Sequence, residues 1–68
     1  MKLNLSKEER PMGYRGLRGK AVWFTAAYTT KAEATEKRDY EKKHGRIATI
    51  VTKYRDNKQK YYAVYSSN

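Results

Sequence analysis

Two stretches near the carboxyl end of the chain are rich in β-branched and aromatic residues, and they constrain the fold most strongly. The first covers residues 46–55 and the second covers residues 60–66. Both compositions favour strands, because branched and aromatic side chains pack well on a pleated surface. Asp56 and Asn57 lie in the polar segment between them and favour a turn through local side-chain hydrogen bonds. The pattern therefore predicts a basic, tyrosine-rich β-hairpin from Arg46 to Ser66.

Side chains alternate along a strand, so a turn of two or four residues gives the predicted hairpin two distinct faces. One face carries no formal charge, and we expect it to meet the core. Its members are Ala48, Ile50, Thr52, Tyr54, Tyr61, Ala63 and Tyr65. The other face combines an apolar end with three cations, and we expect it to be at least partly open to solvent. Its members are Ile47, Thr49, Val51, Lys53, Arg55, Lys60, Tyr62, Val64 and Ser66.

The segment before the hairpin predicts one strand and one helix. Residues 21–29 are apolar on both faces of a strand, and Trp23 is interpreted as a core residue. Thr30 followed by Glu33 matches a capping box, and Gly45 is a typical helix stop. These signals predict a helix over residues 30–44. The run of charges at residues 36–43 is interpreted as the solvated face of that helix.

These elements predict an α+β domain over residues 21–68 with the order β-α-β-β. A right-handed crossover through the helix makes the first two strands parallel and leaves room for the third between them. We therefore expect a three-stranded sheet of order 2-3-1 with one helix packed on one face. Residues 1–20 are expected to form a separate basic arm of irregular structure, because three glycines fall within residues 13–20. The alternative is that Leu3, Leu5 and Leu17 of this arm pack against the sheet.

The helix and the turn that follows it carry a resemblance. Residues 30–34, followed by residues 43–46 and a strand, are similar to the helix-to-strand turn of peptidoglycan-binding repeats and of ferredoxin-like halves. The resemblance rests on helix capping and termination signals. It implies a small β-α-β-β module, and no functional residue is carried over from it.

The charge of the chain is large for its size. Its 68 residues include 16 Lys and Arg against 7 Asp and Glu, for a formal net charge of +9 at pH 7. Residues 1–20 hold six cations and two acids, residues 21–45 hold five and four, and residues 46–68 hold five and one. The excess therefore lies at the two ends of the chain. Such a charge suggests nucleic acid, an anionic membrane surface or an acidic protein as partner.

Catalysis and metal binding are not expected. The chain has no cysteine, so neither a thiolate metal site nor a cysteine–histidine pair can be assembled. Its one histidine, His44, follows two lysines at the helix end and is interpreted as a solvated residue that compensates the helix dipole. The acids of the chain lie mostly among cations, which does not favour a raised carboxyl pKa. The three-residue spacing of the early glycines matches no phosphate-loop or dinucleotide fingerprint. We therefore expect neither an enzyme nor a protein with a cofactor.

No apolar run reaches the roughly 20 residues of a membrane span. The first residues also lack the apolar region of a secretion signal. We therefore expect an intracellular protein, of the cytoplasm or the nucleoid.

We expect a small nucleic-acid-binding protein that contacts the phosphates of DNA or RNA through the hairpin and the basic arm. Tyr62 is expected to stack on bases, with Tyr54 or Tyr61 as further candidates. The candidate residues are Arg15, Arg18, Lys20, Lys53, Arg55, Lys58, Lys60 and Tyr62. The alternative is a protein-interaction module, such as a small regulator or inhibitor from a virus or mobile element. That module uses the open sheet face to bind an acidic protein or to form a homodimer.

Overall fold

The computed structural model describes residues 1–11 and 14–67, and it describes Tyr14, Arg15 and Leu17 by their backbone only. The elements are β1 (Tyr14–Leu17), β2 (Lys20–Tyr28), α1 (Lys31–Lys43), β3 (Ala48–Tyr54) and β4 (Lys60–Ser66). The strands form a single sheet of order β1-β2-β4-β3, in which every neighbouring pair is antiparallel.

The predicted α+β class and the predicted order of three strands are confirmed. β4 lies between β2 and β3 and is antiparallel to both, so β2 and β3 are parallel to each other across it. The helix connects these two parallel strands and packs mainly on β4 and β3. The helix therefore connects two parallel strands, as the sequence pattern predicts.

Both ends of α1 follow from local sequence. The Thr30 side chain accepts a hydrogen bond from the Glu33 backbone N–H at 3.3 Å and donates to the Glu33 carboxylate at 2.8 Å. At the other end Gly45 has a φ of +81°, a conformation that favours glycine. The N–H of Gly45 bonds to the carbonyl of Lys42, and the N–H of Arg46 bonds to the carbonyl of Glu41. This pair of bonds is a Schellman motif, which ends the helix.

The amino-terminal region differs from the predicted irregular arm. β1 pairs with the first half of β2, and a two-residue turn at Arg18 and Gly19 connects them. Both turn residues have positive φ, 52° and 76°, as a type I′ turn requires. The sequence pattern does not predict this hairpin, because its turn holds arginine where asparagine or aspartate is usual. Two residues of the predicted arm, Met12 and Gly13, lie outside the described residues.

The register of the β3–β4 hairpin differs from the prediction by one residue. Tyr54 pairs with Lys60, so the loop holds five residues, where the sequence analysis considered only two or four. Lys58 has a φ of +68° in this loop, and the N–H of Arg55 bonds to the carbonyl of Gln59 at 2.9 Å. An odd loop length moves the side chains of one strand to the opposite face relative to the other strand. The predicted face sets were therefore wrong.

Cross-strand pairing defines the two faces that the sheet has. The face under α1, called the helix face below, carries Trp23, Ala26, Tyr28, Ala48, Ile50, Thr52, Tyr54, Lys60, Tyr62, Val64 and Ser66. The opposite face, called the amino-terminal face below, carries Val22, Phe24, Ala27, Thr49, Val51, Lys53, Tyr61, Ala63 and Tyr65. Each face therefore combines uncharged and basic residues, so charge alone does not distinguish them.

The amino-terminal face is covered by the first residues of the chain. Leu5 is 4% exposed and packs in one cluster with Tyr61 and Tyr65, and Leu3 packs against the same cluster. The segment is held by hydrogen bonds to the end of β2, from the Leu3 N–H to the Ala27 carbonyl at 2.8 Å and from the Thr29 N–H to the Met1 carbonyl. The expectation of an open, cationic outer face is therefore wrong for this part of the sheet.

Candidate nucleic-acid interface

The predicted hairpin residues do not form one surface. Lys53 is half-buried on the amino-terminal face, whereas Lys60 and Tyr62 lie on the helix face. The Lys60 ammonium lies 5.7 Å from the centre of the half-buried Tyr62 ring, as a cation–π pair. Lys58 is exposed in the loop between β3 and β4. The predicted cluster is therefore divided between the two sides of the sheet.

Arg55 is already engaged by protein groups. Its guanidinium donates to the two carboxylate oxygens of Glu9 at 2.9 and 3.1 Å and to Gln59 at 2.9 Å. This bidentate bond holds the pKa of the Glu9 carboxyl below its usual value and raises the pKa of Arg55. The pair joins the amino-terminal segment to the hairpin, so Arg55 has a structural partner where a phosphate was predicted.

The predicted arm residues lie at the other end of the sheet. Lys20 is exposed at the start of β2, and Arg18 is exposed in the turn before it. The backbone of Arg15 lies in β1, and its side chain lies outside the described part of the chain. β3 separates this end of the sheet from the hairpin loop by about 20 Å, from its seven residues at the usual rise. The structure therefore does not bring the predicted arm and hairpin cations together.

The structure instead places Arg18 with three cations that the sequence analysis left out. A groove of about 340 Å³ is lined by these four cations and by the first residues of β3. Its lining residues are Arg18, Arg38, Lys42, Arg46, Ile47, Ala48 and Thr49. We call this site the basic groove.

Three separate parts of the fold supply the basic groove. Arg38 and Lys42 are one helical turn apart on α1, so their side chains lie on one side of the helix. Arg46 follows the Schellman motif, which turns the chain back toward the sheet. Arg18 comes from the β1–β2 turn. The groove therefore depends on the helix, the helix end and the hairpin being placed together.

Two carboxylates partly compensate the four cations. Nη1 of Arg46 donates to the buried Glu41 carboxylate at 2.7 Å, and Lys37 lies 3.4 Å from the same carboxylate. Burial alone would raise the pKa of Glu41, but the hydrogen bond from Arg46 and the charge of Lys37 outweigh it and lower that pKa. Arg38 contacts the exposed Asp39 at 3.3 Å. Within the described part of the chain, Arg18 and Lys42 show no ion pair, so the groove keeps an excess of positive charge.

One residue distinguishes the basic groove from an ordinary helix end. Lys42 and Lys43 in the last turn are explained by the helix dipole, which favours cations there. Arg18 has no such explanation, because it belongs to a different element. It also adopts a φ of +52°, which costs an L-residue about 1–2 kcal/mol. Arg18 therefore supplies the groove with a guanidinium that shows no ion pair within the described residues.

The sequence contained one signal of this site. Arg38 and Lys42 have the i, i+4 spacing of neighbours on one helix side. The interpretation of residues 36–43 as a plain solvated face treated all the charges of that run alike. No sequence signal placed Arg18 or Arg46 beside them, because the three segments meet only in the folded chain.

Among the side chains that the structure describes, three aromatic ones are substantially exposed: Trp23 at 42%, Tyr40 at 53% and Tyr54 at 65%. Tyr40 contacts the ring of His44, and the Lys37 ammonium lies 5.0 Å from its centre. Trp23 was interpreted as a core residue, and the structure instead leaves a large part of it accessible.

The described part of the chain contains neither a cluster of metal ligands nor a membrane-spanning helix. It holds no group of three or more His, Cys, Asp or Glu residues that could bind a metal ion. In the same residues, no helix has the length and apolar character needed to cross a membrane.

Comparison with known proteins found no matching family model, no matching curated protein and no matching solved structure.

Stability is expected to fall in acid because of the two carboxylates with lowered pKa. A carboxyl whose pKa is lower in the folded state stabilises the fold above its usual pKa of 4.5, and loses that contribution as the pH falls through the folded value. Glu9→Gln should therefore give a smaller drop in unfolding free energy between about pH 5 and pH 3 than the wild type. Urea unfolding followed by circular dichroism measures both. An equal drop in the two proteins would show that the Glu9–Arg55 pair is absent in solution.

Proposed function

We propose that this protein binds nucleic acid by holding backbone phosphates in the basic groove. The single observation that carries the proposal is the convergence of four cations from three parts of the fold on one groove. Phosphate oxygens are the ligands that arginine and lysine bind most readily in this arrangement, and arginine can bind them in a bidentate manner.

The overall charge supports the same partner. A formal charge of +9 attracts a polyanion over distances longer than one contact. Lys20 extends the positive surface beyond Arg18, and Lys53, Lys58 and Lys60 add charge at the other end of the sheet. We infer that these outlying lysines attract the nucleic acid from a distance, whereas the basic groove contacts its phosphates. Affinity for mixed sequences with strong salt dependence follows from this division, because phosphate contacts carry no sequence information.

A protein-interaction module is the second candidate, and it now depends on a sheet edge. The face that it was expected to use is covered by the amino-terminal segment. β3, however, is an outer strand, and the alternation of its hydrogen bonds turns the backbone groups of Ala48, Ile50, Thr52 and Tyr54 away from β4. Such an edge can pair with a strand of another protein or of a second copy. A dimer mass in solution at low concentration favours this candidate.

Arg18→Asn is the variant that tests the proposal most directly. Asparagine suits the first position of a type I′ turn before glycine better than arginine does, so we expect the unfolding free energy to stay equal or rise by about 1 kcal/mol. We expect affinity for a mixed-sequence oligonucleotide at 50 mM salt to fall about tenfold, and the salt dependence to weaken by about one phosphate contact. Fluorescence anisotropy titrations over a range of salt concentrations measure both quantities.

The control is Lys58→Asn, which removes an exposed cation from a second non-glycine position with positive φ in the described part of the chain. Lys58→Asn should likewise keep or raise the unfolding free energy. It should lower the affinity for the oligonucleotide much less than Arg18→Asn does. Equal losses in the two variants would indicate general charge attraction without a groove. Absence of binding by the wild type at 50 mM salt would overturn the proposed function itself.

A further inference from the structure

We propose that the nucleic acid is single-stranded and that Trp23 stacks on one of its bases next to the basic groove. This inference rests on the proposed function and specifies its substrate class. Trp23 is 42% exposed and is not one of the residues that line the groove.

The sheet register places Trp23 on the same side as the groove. Trp23 pairs with Ser66 of β4, and Ser66 pairs with Ala48 of β3, which lines the groove. Directly paired residues share a face, so all three belong to the helix face. Two strand spacings separate Trp23 from Ala48, which is about 10 Å. A short stretch of an extended strand can therefore hold a phosphate in the groove and bring a neighbouring base to the indole.

The exposure of this indole needs an explanation. Tryptophan has the largest apolar surface of any side chain, and burial of that surface is normally favourable. α1 packs mainly on β4 and β3, so it leaves the β2 end of the helix face less covered. Trp23 is paired with the edge strand β1 at this point. The exposed part of Trp23 therefore belongs to the helix face, which also holds Ala48 of the basic groove.

Single strands fit this geometry better than duplexes. A base can stack on a protein ring only when its own face is free, and in a duplex those faces are occupied by neighbouring bases. Stacking accepts any base, so it adds affinity without requiring a sequence. The other exposed aromatics of the described side chains are less suited by position, because Tyr40 lies on the side of α1 away from Arg38 and Lys42, and Tyr54 lies at the hairpin-loop end of β3.

The chain has one tryptophan, so its fluorescence reports this position alone. We expect a thymidine oligonucleotide to quench the emission in proportion to binding. An abasic oligonucleotide of the same length keeps the phosphates but has no bases, and it should bind without quenching. A duplex of the same length should bind through phosphates, also without quenching.

Variants separate stacking from phosphate contact. Trp23→Ala should lower affinity for the thymidine oligonucleotide about 5- to 100-fold and leave affinity for the abasic oligonucleotide nearly unchanged. Trp23→Phe keeps an aromatic ring and should retain most of the affinity, which controls for a general effect on folding. Anisotropy of labelled oligonucleotides measures these affinities, since both variants lack the natural fluorophore.

The outcomes distinguish this inference from the proposed function. Binding of the thymidine oligonucleotide without quenching, or equal losses on both oligonucleotides in Trp23→Ala, would overturn the stacking inference and leave phosphate binding in place. Equal quenching by a duplex would overturn the choice of a single strand. No binding of any probe at low salt would overturn the proposed function on which the inference rests.

Discussion

Changing Arg38 and Lys42 together to glutamine is expected to lower nucleic-acid affinity about 100-fold at 50 mM salt. The slope of binding against salt implies that each phosphate contact contributes about a factor of ten between 50 mM and 1 M salt. Removing two contacts from the basic groove should therefore lower the affinity by about two factors of ten. It should also reduce the slope by the amount that two phosphate contacts contribute. Anisotropy titrations at several salt concentrations give the affinity and the slope from the same data.

The matched control for this pair is Lys53 and Lys58 changed together to glutamine. The control removes the same charge from the hairpin end, where the sequence analysis placed the binding surface. We expect it to cost less than tenfold, because these lysines lie outside the groove and act through long-range attraction. A larger loss of affinity in the Lys53 and Lys58 variant than in the Arg38 and Lys42 variant would show that the hairpin is the binding surface. Circular dichroism at 25 °C checks that both double variants stay folded.

Leu5→Ala is expected to lower the unfolding free energy by about 2–4 kcal/mol, the usual cost of truncating a buried leucine. The side chain is 4% exposed and packs against Tyr61 and Tyr65 on the amino-terminal face. A domain of this size has only about 3–10 kcal/mol of stability, so the loss is a large fraction of the total. The melting temperature should fall by about 10–30 °C.

Lys7→Ala controls for a change in the same segment at an exposed position, and it should be nearly neutral. A Leu5→Ala variant as stable as Lys7→Ala would mean that the amino-terminal segment does not cover the sheet in solution. The outer face of the hairpin would then be open, as the sequence analysis expected. Thermal unfolding followed by circular dichroism measures both variants.

The hairpin loop shows why the predicted faces failed while the predicted strands succeeded. β3 and β4 were located correctly because their composition favours strands over seven residues each. Their relative register depended on whether the loop was even or odd in length. Lys58 at positive φ makes the five-residue loop, and lysine is not a residue that predicts this conformation. Because of this one-residue difference in register, Tyr61 and Tyr65 pack against the amino-terminal segment and not against the helix as predicted.

The candidate site was predictable only in part. Arg18 was named as a phosphate ligand and does line the basic groove, but it was assigned to a flexible arm and not to a tight turn. Arg38, Lys42 and Arg46 were left out. Their positions relative to Arg18 depend on where a short hairpin, a helix and the start of an edge strand meet.

The sequence by itself determined what is local: the cap at Thr30, the helix stop at Gly45, the strand composition and the positive charge. These features depend on residues within a few positions of one another, so they can be read before the chain is folded. Only the tertiary structure decided which sheet face the amino-terminal leucines cover and which cations converge. The physical reason is that register and convergence are set by packing between distant segments, where one loop residue can exchange the faces of a strand.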